Sequence, residues 1–368
     1  MKEKLRIIIS GGGTGGHIYP AIAVAQAIEK ELNGEVDFLF VGAKDRMEME
    51  KVPKAGYPIV GLWISGLQRS LSLKNILFPI KVLSSVLKSW LLIGKFKPDL
   101  AIGFGGYASG AMMFAAWMRG IPVMIHEQNS YAGITNKLLK NKARKVAVAY
   151  PQMDRFFPAS KIVLTGNPVR SDILNAHTKR IAAETFFQLD PHKKTVLVIG
   201  GSLGARTINK TLYGAWEQII NAGYNLIWQK GNNFPDADQL NHPNLVVRNF
   251  IYEMDLAYAI SDIVVSRAGA LSIAEIAIVA KPLILVPSPN VAEDHQTKNA
   301  LALVNENAAL MVKDANANQE LVSTVLALLS DLNKQALLAK QIATFAMPNA
   351  AQHISKEALQ LVNTHAVN

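Results

Sequence analysis

Five glycines crowd into the six residues Gly11-Gly12-Gly13-Thr14-Gly15-Gly16, which run directly into His17. The stretch before them, Arg6-Ile7-Ile8-Ile9-Ser10, is β-branched and apolar and predicts a buried parallel strand. Glycines behind such a strand let the backbone approach a ligand closely. Ile18 to Lys30 predict a helix, with Ile22, Ala25, Ala27 and Ile28 on a roughly helical period. A glycine turn facing a helix N-terminus suits an anion, because first-turn N–H groups and the positive dipole end point at it. Gly11-x-Gly13-x-x-Gly16 also has the spacing of a dinucleotide fingerprint, which requires an acid at the end of the second strand to hold a ribose. That strand, Asp37-Phe38-Leu39-Phe40-Val41, ends in Gly42, and the nearest acids, Asp37 and Asp45, lie at its start and in the loop beyond. The missing acid argues against a nicotinamide cofactor.

The elements that must hold such a loop repeat along the chain. Pro98 to Gly103 predicts a strand, Phe104-Gly105-Gly106-Tyr107-Ala108-Ser109-Gly110 a second glycine turn, and Ala111 to Arg119 a helix. A strand at Pro122 to His126 runs into Glu127-Gln128-Asn129, polar residues at the carboxyl end of a buried strand, where open α/β sheets bind ligands. Asn129 is equally suited to cap the helix that follows. Pattern lapses over Asn175 to Lys194, and then Thr195 to Ile199 opens onto Gly200-Gly201-Ser202-Leu203-Gly204-Ala205-Arg206. The opening device thus recurs at the head of the second half, which predicts two mononucleotide-type domains with a boundary near Val169. Later strands end in Ser266-Arg267-Ala268-Gly269-Ala270-Leu271-Ser272-Ile273-Ala274-Glu275 and in the loop leading to His295-Gln296. A last helix from about Asn349 is expected to cross back to the first domain.

Bulk properties narrow the class. At 368 residues the chain exceeds the roughly 250–300 at which one core stops growing, and half of its residues are hydrophobic, enough for two cores. It has no cysteine, which excludes disulfides and thiolate metal sites. Met1-Lys2-Glu3-Lys4 leads straight into a strand, unlike a signal peptide. Lys88, Arg119 and Lys281 interrupt the most apolar segments before the ~18 residues of a membrane span. A soluble or peripheral protein is expected. Residues 1–169 carry 22 Lys and Arg against 11 Asp and Glu, and residues 170–368 carry 16 against 17, so the net +10 resides in the first half. An anionic partner for that half, nucleic acid or membrane, is one explanation, and surface lysines kept for solubility are the other. Lys74, Lys81, Lys88 and Lys95 recur every seven residues beside Leu73, Leu77, Ile80, Leu83, Leu87, Trp90 and Leu91, with Pro79 breaking or restarting the helix. Such a surface suits an anionic bilayer, or is an ordinary helix with leucines in the core and lysines in water.

Taken together, Gly12-Gly13-Thr14-Gly15-Gly16-His17, Gly105-Gly106-Tyr107, His126-Glu127-Gln128-Asn129, Gly166-Asn167-Pro168-Val169-Arg170, Gly200-Gly201-Ser202 with Gly204-Ala205, and Gly269-Ala270-Leu271-Ser272 with Glu275 closely resemble the MurG family. These are the peptidoglycan N-acetylglucosaminyltransferases that make lipid II, and the resemblance spans nearly the whole chain in one order. It implies an α/β GT-B fold, two Rossmann-like domains with parallel sheets facing across a cleft. These would be an acceptor and membrane-binding domain, 1–169 joined by helix 349–368, and a donor domain, 170–348. The implied reaction moves GlcNAc from UDP-GlcNAc to the muramyl O4 of undecaprenyl-diphospho-MurNAc-pentapeptide, with inversion, at the cytoplasmic face of the membrane.

Carried over by position, the resemblance implies that Ser202 and the N–H groups after it receive the UDP diphosphate, with Arg170 adding charge. It implies that Glu275 accepts the ribose hydroxyls and that the Ile251 backbone contacts uracil. Ala270, Leu271, Ser272 and Gln296 line the sugar and diphosphate. Thr14, Gly15, Gly16 and Asn129 reach the donor from the other wall, while Gly13, Gly105, Gly106 and Tyr107 cradle the acceptor diphosphate. His17 is the expected general base, since imidazole titrates near neutral pH, with Glu127 as the alternative. Leu203 stands where the family often has Gln, and His295-Gln296 where some members have Gln-Gln.

No cofactor and no metal are expected. Asp236-Ala237-Asp238 has the spacing of a metal-binding pair, yet it follows Pro235 in a polar loop where solvated turn carboxylates are commoner, and the histidines include no pair at ligand spacing. A helix dipole with Arg170 can stabilise a leaving diphosphate without an ion. The rival readings are a UDP-GlcNAc 2-epimerase, a transferase to another glycolipid, and a nucleotide-sugar sensor whose first half binds nucleic acid. The last would place aromatics between its cations, where this chain has leucines, so no nucleic acid partner is expected.

Overall fold

The computed structural model describes residues 4–66, 77–201 and 204–366. Leu73, Lys74, Ser202 and Leu203 therefore lie outside the described residues. The chain divides into two compact units, Met1–Val169 with Asn349–Asn368, and Arg170–Pro348.

In the first unit β1 (Leu5–Ser10), α1 (Gly15–Glu31), β2 (Val36–Ala43), α2 (Glu48–Lys54) and β3 (Ile59–Leu62) are followed by α3 (Phe78–Phe96), β4 (Leu100–Gly103) and α4 (Tyr107–Met118). Then come β5 (Val123–Glu127), α5 (Ile134–Leu139), β6 (Lys145–Val148) and β7 (Ile162–Leu164). The sheet is parallel throughout, in the order β3-β2-β1-β4-β5-β6-β7. Helices cover both faces, so successive residues of β1 enter different cores. Ile8 packs with Met112 and Ala116 of α4, whereas Ile7 and Ile9 pack with Ile18 and Val24 of α1. This two-sided burial is why the run reads as continuously apolar. A terminal helix, α14 (Ala350–Ala366), lies on α1 and sends Ile354, Ala358 and Leu361 into that second core. Ser355 Oγ donates to Glu31 at 2.7 Å, and Lys145 pairs with Glu357 at 3.2 Å.

The second unit has α6 (Arg180–Phe187), β8 (Thr195–Ile199), α7 (Arg206–Tyr213), α8 (Trp216–Asn221), β9 (Asn225–Gln229), β10 (Leu245–Arg248) and α9 (Met254–Ile260). It continues with β11 (Ile263–Ser266), α10 (Ala270–Ile278), β12 (Leu283–Leu285), α11 (His295–Val304), β13 (Leu310–Met311), α12 (Ala317–Ser330) and α13 (Leu332–Ala343). Its sheet, also parallel, has the equivalent order β10-β9-β8-β11-β12-β13. The expected pair of Rossmann-like domains is therefore present. In each, chain order reverses between two central strands, β1 and β4 or β8 and β11, and ligands bind outside the carboxyl ends of such strands. The three glycine turns are the loops that leave β1, β4 and β8, and the loop leaving β11 ends in Gly269.

Local boundaries differ from expectation in instructive ways. α1 begins at Gly15 and α4 at Tyr107, three and four residues early, so Gly15, Gly16 and His17 form a helical first turn rather than a loop. First-turn residues need no intrahelical N–H partner, which removes much of the cost of glycine there. Residues 175–194 hold α6, where Ala183 and Phe187 supply a short buried stripe too brief to register as a period.

α3 corrects the reading of the lysines. Pro79 sits in its first turn, and Ser85, Ser89 and Ile93 form its buried stripe. Lys81 Nζ donates to Ser65 Oγ and Lys88 Nζ to the Gly61 carbonyl, both at 2.9 Å. The small serines let the helix lie close to β3 and α4, and the lysine stems reach carbonyl and hydroxyl acceptors at the sheet edge. The apolar face points outward instead, with Ile80, Leu83, Leu87 and Leu91 between 56% and 71% exposed.

Candidate active site

At the switch point of the first unit the loops after β1 and β4 press backbone against backbone. The Phe104 N–H donates to the Ser10 carbonyl at 2.7 Å. Gly106, at φ +86°, lies so close that a Cβ there would meet the Gly12 carbonyl oxygen at 2.7 Å. His17 is half-buried, with Nδ1 2.8 Å from that same oxygen and 3.4 Å from Thr14 Oγ1. A carbonyl only accepts, so Nδ1 carries the proton and Nε2 keeps its lone pair. Nε2 lies over Gly105, where a Cβ would stand 3.1 Å away. Burial lowers the His17 pKa, while the bond to Gly12 and the charge of Glu48 oppose that shift. A neutral imidazole with a free Nε2 can take a proton at neutral pH. Gly13 departs from expectation, because its N–H donates to both Glu48 oxygens, at 3.2 and 3.1 Å, and so is not left for an anionic ligand. Thr14 is exposed, Gly15 and Gly16 are half-buried, and Tyr107 is exposed at the start of α4.

At the end of β5, Glu127 is buried and accepts four hydrogen bonds, from Asn129 N and Nδ2 at 3.1 and 3.3 Å, Gly133 N at 3.0 Å and Asn136 Nδ2 at 2.8 Å. Burial raises its pKa and these donors lower it. With both oxygens engaged, Glu127 ties down the loop to α5, and Asn129 belongs to that tie. The helix cap is Gly133, not Asn129. His126 is fully buried, with Nε2 3.0 Å from the Gly166 carbonyl and Nδ1 3.2 Å from Gln128 Nε2, and burial pushes its pKa down to about 4.

The second unit builds a separate constellation. Gly201 and Gly204 have φ +82° and +78°, and a Cβ on Gly204 would meet the Lys230 carbonyl oxygen at 2.0 Å, so the turn into α7 requires glycine there. Gln229, at the end of β9, bridges the loops that follow β8 and β10. Its Nε2 donates to the Gly201 carbonyl and its Oε1 accepts from the Ile251 N–H, both at 3.0 Å. The Ile251 N–H is thus engaged. Glu275 is buried on α10, 3.6 Å from Arg170 Nε, and accepts from the Tyr258 hydroxyl at 3.1 Å. Burial raises the Glu275 pKa, and Arg170 and Tyr258 counter it. Arg170 therefore joins the acid expected at the ribose, and the same Nε lies 3.9 Å from Asp172. Ala270, Leu271 and Ser272 are the first turn of α10, directed to the end of β11. Gln296 Oε1 accepts from Ser288 N at 2.8 Å, at the start of α11. Asp238 pairs with the buried Lys230 at 2.8 Å. No group of three or more acids and histidines that could hold a metal occurs among the described residues.

Glu48, Gln229 and Tyr258 carry no sequence signal. Each acts on a segment remote in sequence, and nothing in its neighbours distinguishes it from a surface or core residue.

Comparison with known proteins places this arrangement. The profile of the glycosyltransferase family 28 N-terminal domain matches residues 7–148, and that of the family 28 C-terminal domain matches 195–354. A transferase from Cytophaga hutchinsonii, named UDP-N-acetylglucosamine–N-acetylmuramyl-(pentapeptide) pyrophosphoryl-undecaprenol N-acetylglucosamine transferase, is 54% identical over 364 residues. The match covers 99% of this chain and 98% of that one. The chain belongs to glycosyltransferase family 28, among the MurG transferases. A Bacteroides fragilis relative of the same name is 50% identical, covering 98% of this chain and 96% of its own. The crystal structure of Acinetobacter baumannii MurG superposes with a TM-score of 0.78 at 30% identity, covering 97% and 99% of the two chains. The UDP-GlcNAc 2-epimerase of Neisseria meningitidis, bound to UDP-GlcNAc, shares the fold at a TM-score of 0.68 and 15% identity, covering 97% of this chain and 100% of its own. As a family 28 member the chain is a hexosyltransferase.

Proposed function

We propose that the enzyme transfers GlcNAc from UDP-GlcNAc to the muramyl C4 hydroxyl of undecaprenyl-diphospho-MurNAc-pentapeptide, converting lipid I to lipid II. Full-length identity of 54% to a transferase named for this reaction carries the choice of substrates. The chemistry follows from His17. Nε2 takes the proton of the C4 hydroxyl as O4 attacks the anomeric carbon from the face opposite UDP. The new O4–C1 bond forms while the C1–O bond to the diphosphate breaks, its electron pair leaves with UDP, and configuration inverts. Glu127 is the weaker candidate because its oxygens already accept four hydrogen bonds.

The donor is assigned to the second unit. Ser202 and the N-terminus of α7 receive the diphosphate, and the first turn of α10, Ala270 to Ser272, faces it with Gln296 beside the sugar. Glu275, held by Arg170 and Tyr258, accepts the ribose hydroxyls. Because the Ile251 N–H is taken by Gln229, its carbonyl is the group left to accept the uracil N3–H. Gly105, Gly106 and Tyr107 are assigned to the acceptor diphosphate in the first unit.

The first unit is further proposed to dock peripherally on the anionic cytoplasmic face of the membrane. Ile80, Leu83, Leu87 and Leu91 of α3, Trp117 of α4, and Ile134 and Leu138 of α5 are exposed on adjoining helices. Arg119 stacks over Trp90 at 4.2 Å and Lys142 over Trp117 at 5.1 Å, placing cations among these apolar side chains. Among the described residues no single helix is long and apolar enough to cross a bilayer. Incubation with UDP-GlcNAc, with and without lipid I, tests the reaction. Disaccharide-lipid formed only with lipid I supports the assignment, whereas free ManNAc or no product overturns it.

A further inference from the structure

Glu48 opens α2, 35 residues beyond Gly13, and is fully buried. A buried carboxylate is costly unless it is paired or hydrogen-bonded. Its oxygens meet only N–H donors, the Gly13 N–H at 3.2 and 3.1 Å and the Ala43 N–H at 3.0 Å. Two glycines make room for it. A Cβ on Gly12 would stand 2.1 Å from Glu48 Oε1, and one on Gly42 would stand 2.5 Å from its Cγ.

The Gly13 N–H belongs to the same peptide as the Gly12 carbonyl, and that carbonyl accepts the His17 Nδ1 proton at 2.8 Å. The peptide is planar and rigid. A negative charge on its N–H side polarises it toward the carbonyl oxygen, which strengthens the bond on the other side. The sequence carboxylate, peptide, imidazole therefore reproduces, with one amide interposed, the arrangement in which a buried acid fixes a histidine tautomer and stabilises the imidazolium. We propose that Glu48 is a positioning residue for His17, acting through the Gly12–Gly13 peptide to hold the proton on Nδ1 and present Nε2 to the acceptor hydroxyl. The titratable groups facing His17 among the described residues are Glu48 from α2 and His126 from β5, and burial holds His126 neutral. Glu48 thus supplies the charge that stabilises His17 when it gains a proton, against the burial that disfavours it.

The inference rests on the reading of His17 as the base, and the tests separate the two. Glu48→Gln preserves shape and removes the charge. Nitrogen NMR of the His17 ring, assigned by its loss in His17→Gln, should show the Nδ1–H tautomer in the wild type. In Glu48→Gln the tautomers should mix and the titration midpoint should move down. At neutral pH kcat should fall about 10- to 100-fold, the range for removing a partner that orients a functional histidine, with KM for UDP-GlcNAc unchanged. In a His17→Ala background Glu48→Gln should cost less than about twofold more, as expected for groups acting as one unit. An unchanged tautomer and midpoint, or an equal loss of kcat with and without His17, overturns the proposal. If Glu48→Gln does not fold, Glu48→Asp keeps the charge but draws it away from Gly13. An unaltered tautomer and kcat in that variant overturns the proposal as well. Near wild-type kcat in His17→Ala would instead remove the base reading, and the NMR result would still decide the link from Glu48 to the ring.

Discussion

Gly105→Ala tests which nitrogen of His17 does the work. The added Cβ would stand 3.1 Å from Nε2, and φ there is +91°. A hydroxyl giving its proton to Nε2 must bring its oxygen to roughly 2.6–3.2 Å of that atom, the space the new methyl occupies. General-base catalysis contributes roughly 10²–10⁴ in rate, so kcat for disaccharide formation should fall by that order. UDP-GlcNAc affinity by calorimetry should stay within about twofold, because the donor is assigned to the other unit. Alanine in left-handed backbone adds about 1–2 kcal/mol of strain, which lowers the melting temperature by roughly 2–8 °C in a unit of this size. Gly34→Ala separates strain from obstruction, since Gly34 has φ +82° and open space around its Cβ position. It should show a similar melting shift with wild-type kcat. A folded Gly105→Ala that retains more than about a tenth of wild-type kcat would refute the role of Nε2.

Glu275→Ala should weaken UDP-GlcNAc binding about ten- to a hundredfold, since hydrogen bonds to a charged group contribute roughly 1.5–3 kcal/mol; unchanged calorimetric affinity in a folded variant would rule out its ribose contact. Leu83→Ser with Leu87→Ser on the exposed face of α3 should reduce sedimentation with anionic vesicles, and that binding should weaken with salt. Equal binding to neutral vesicles would contradict the docking proposal. His126 has its pKa depressed from 6.5 to about 4 in the fold, so the unfolded chain binds its proton first as pH falls. Its contribution is whole above about pH 6.5 and is lost by about pH 4, a difference of about 3 kcal/mol. Glu127 and Glu275, raised by burial, act in the opposite sense, so the readout is the difference from His126→Gln in urea unfolding across that range. A wild-type slope that survives in the variant would show that His126 does not titrate as its burial requires.

Much of the architecture was legible because glycine runs behind β-branched strands have few other uses. Ile7 to Ile9 announce a strand buried on both faces, and the turns at residues 11–16, 104–106 and 200–204 announce close backbone approach. Both properties belong to short segments, whose backbone preferences are set by the residues themselves. Order along the chain also conveyed the repeated device, and with it two Rossmann-like domains.

What only the tertiary structure decided are relations between segments that are adjacent in space and distant in sequence. Glu48 stands in a polar helix among Met, Glu and Lys, and its carboxylate finds the Gly13 N–H because β2 lies beside β1 in the sheet. Gln229 joins Gly201 to Ile251 for the same reason, since β9 runs between β8 and β10. The lysines of α3 could not be oriented from their spacing, because one helical stripe serves equally to face water or to reach Ser65 and Gly61. Packing of Ser85 and Ser89 against the body chose the second and turned the leucines outward. Residue type and a place after a glycine turn mark His17 as the candidate base, but the Gly12 carbonyl decides its tautomer. That group is positioned by the fold, not by its neighbours in sequence.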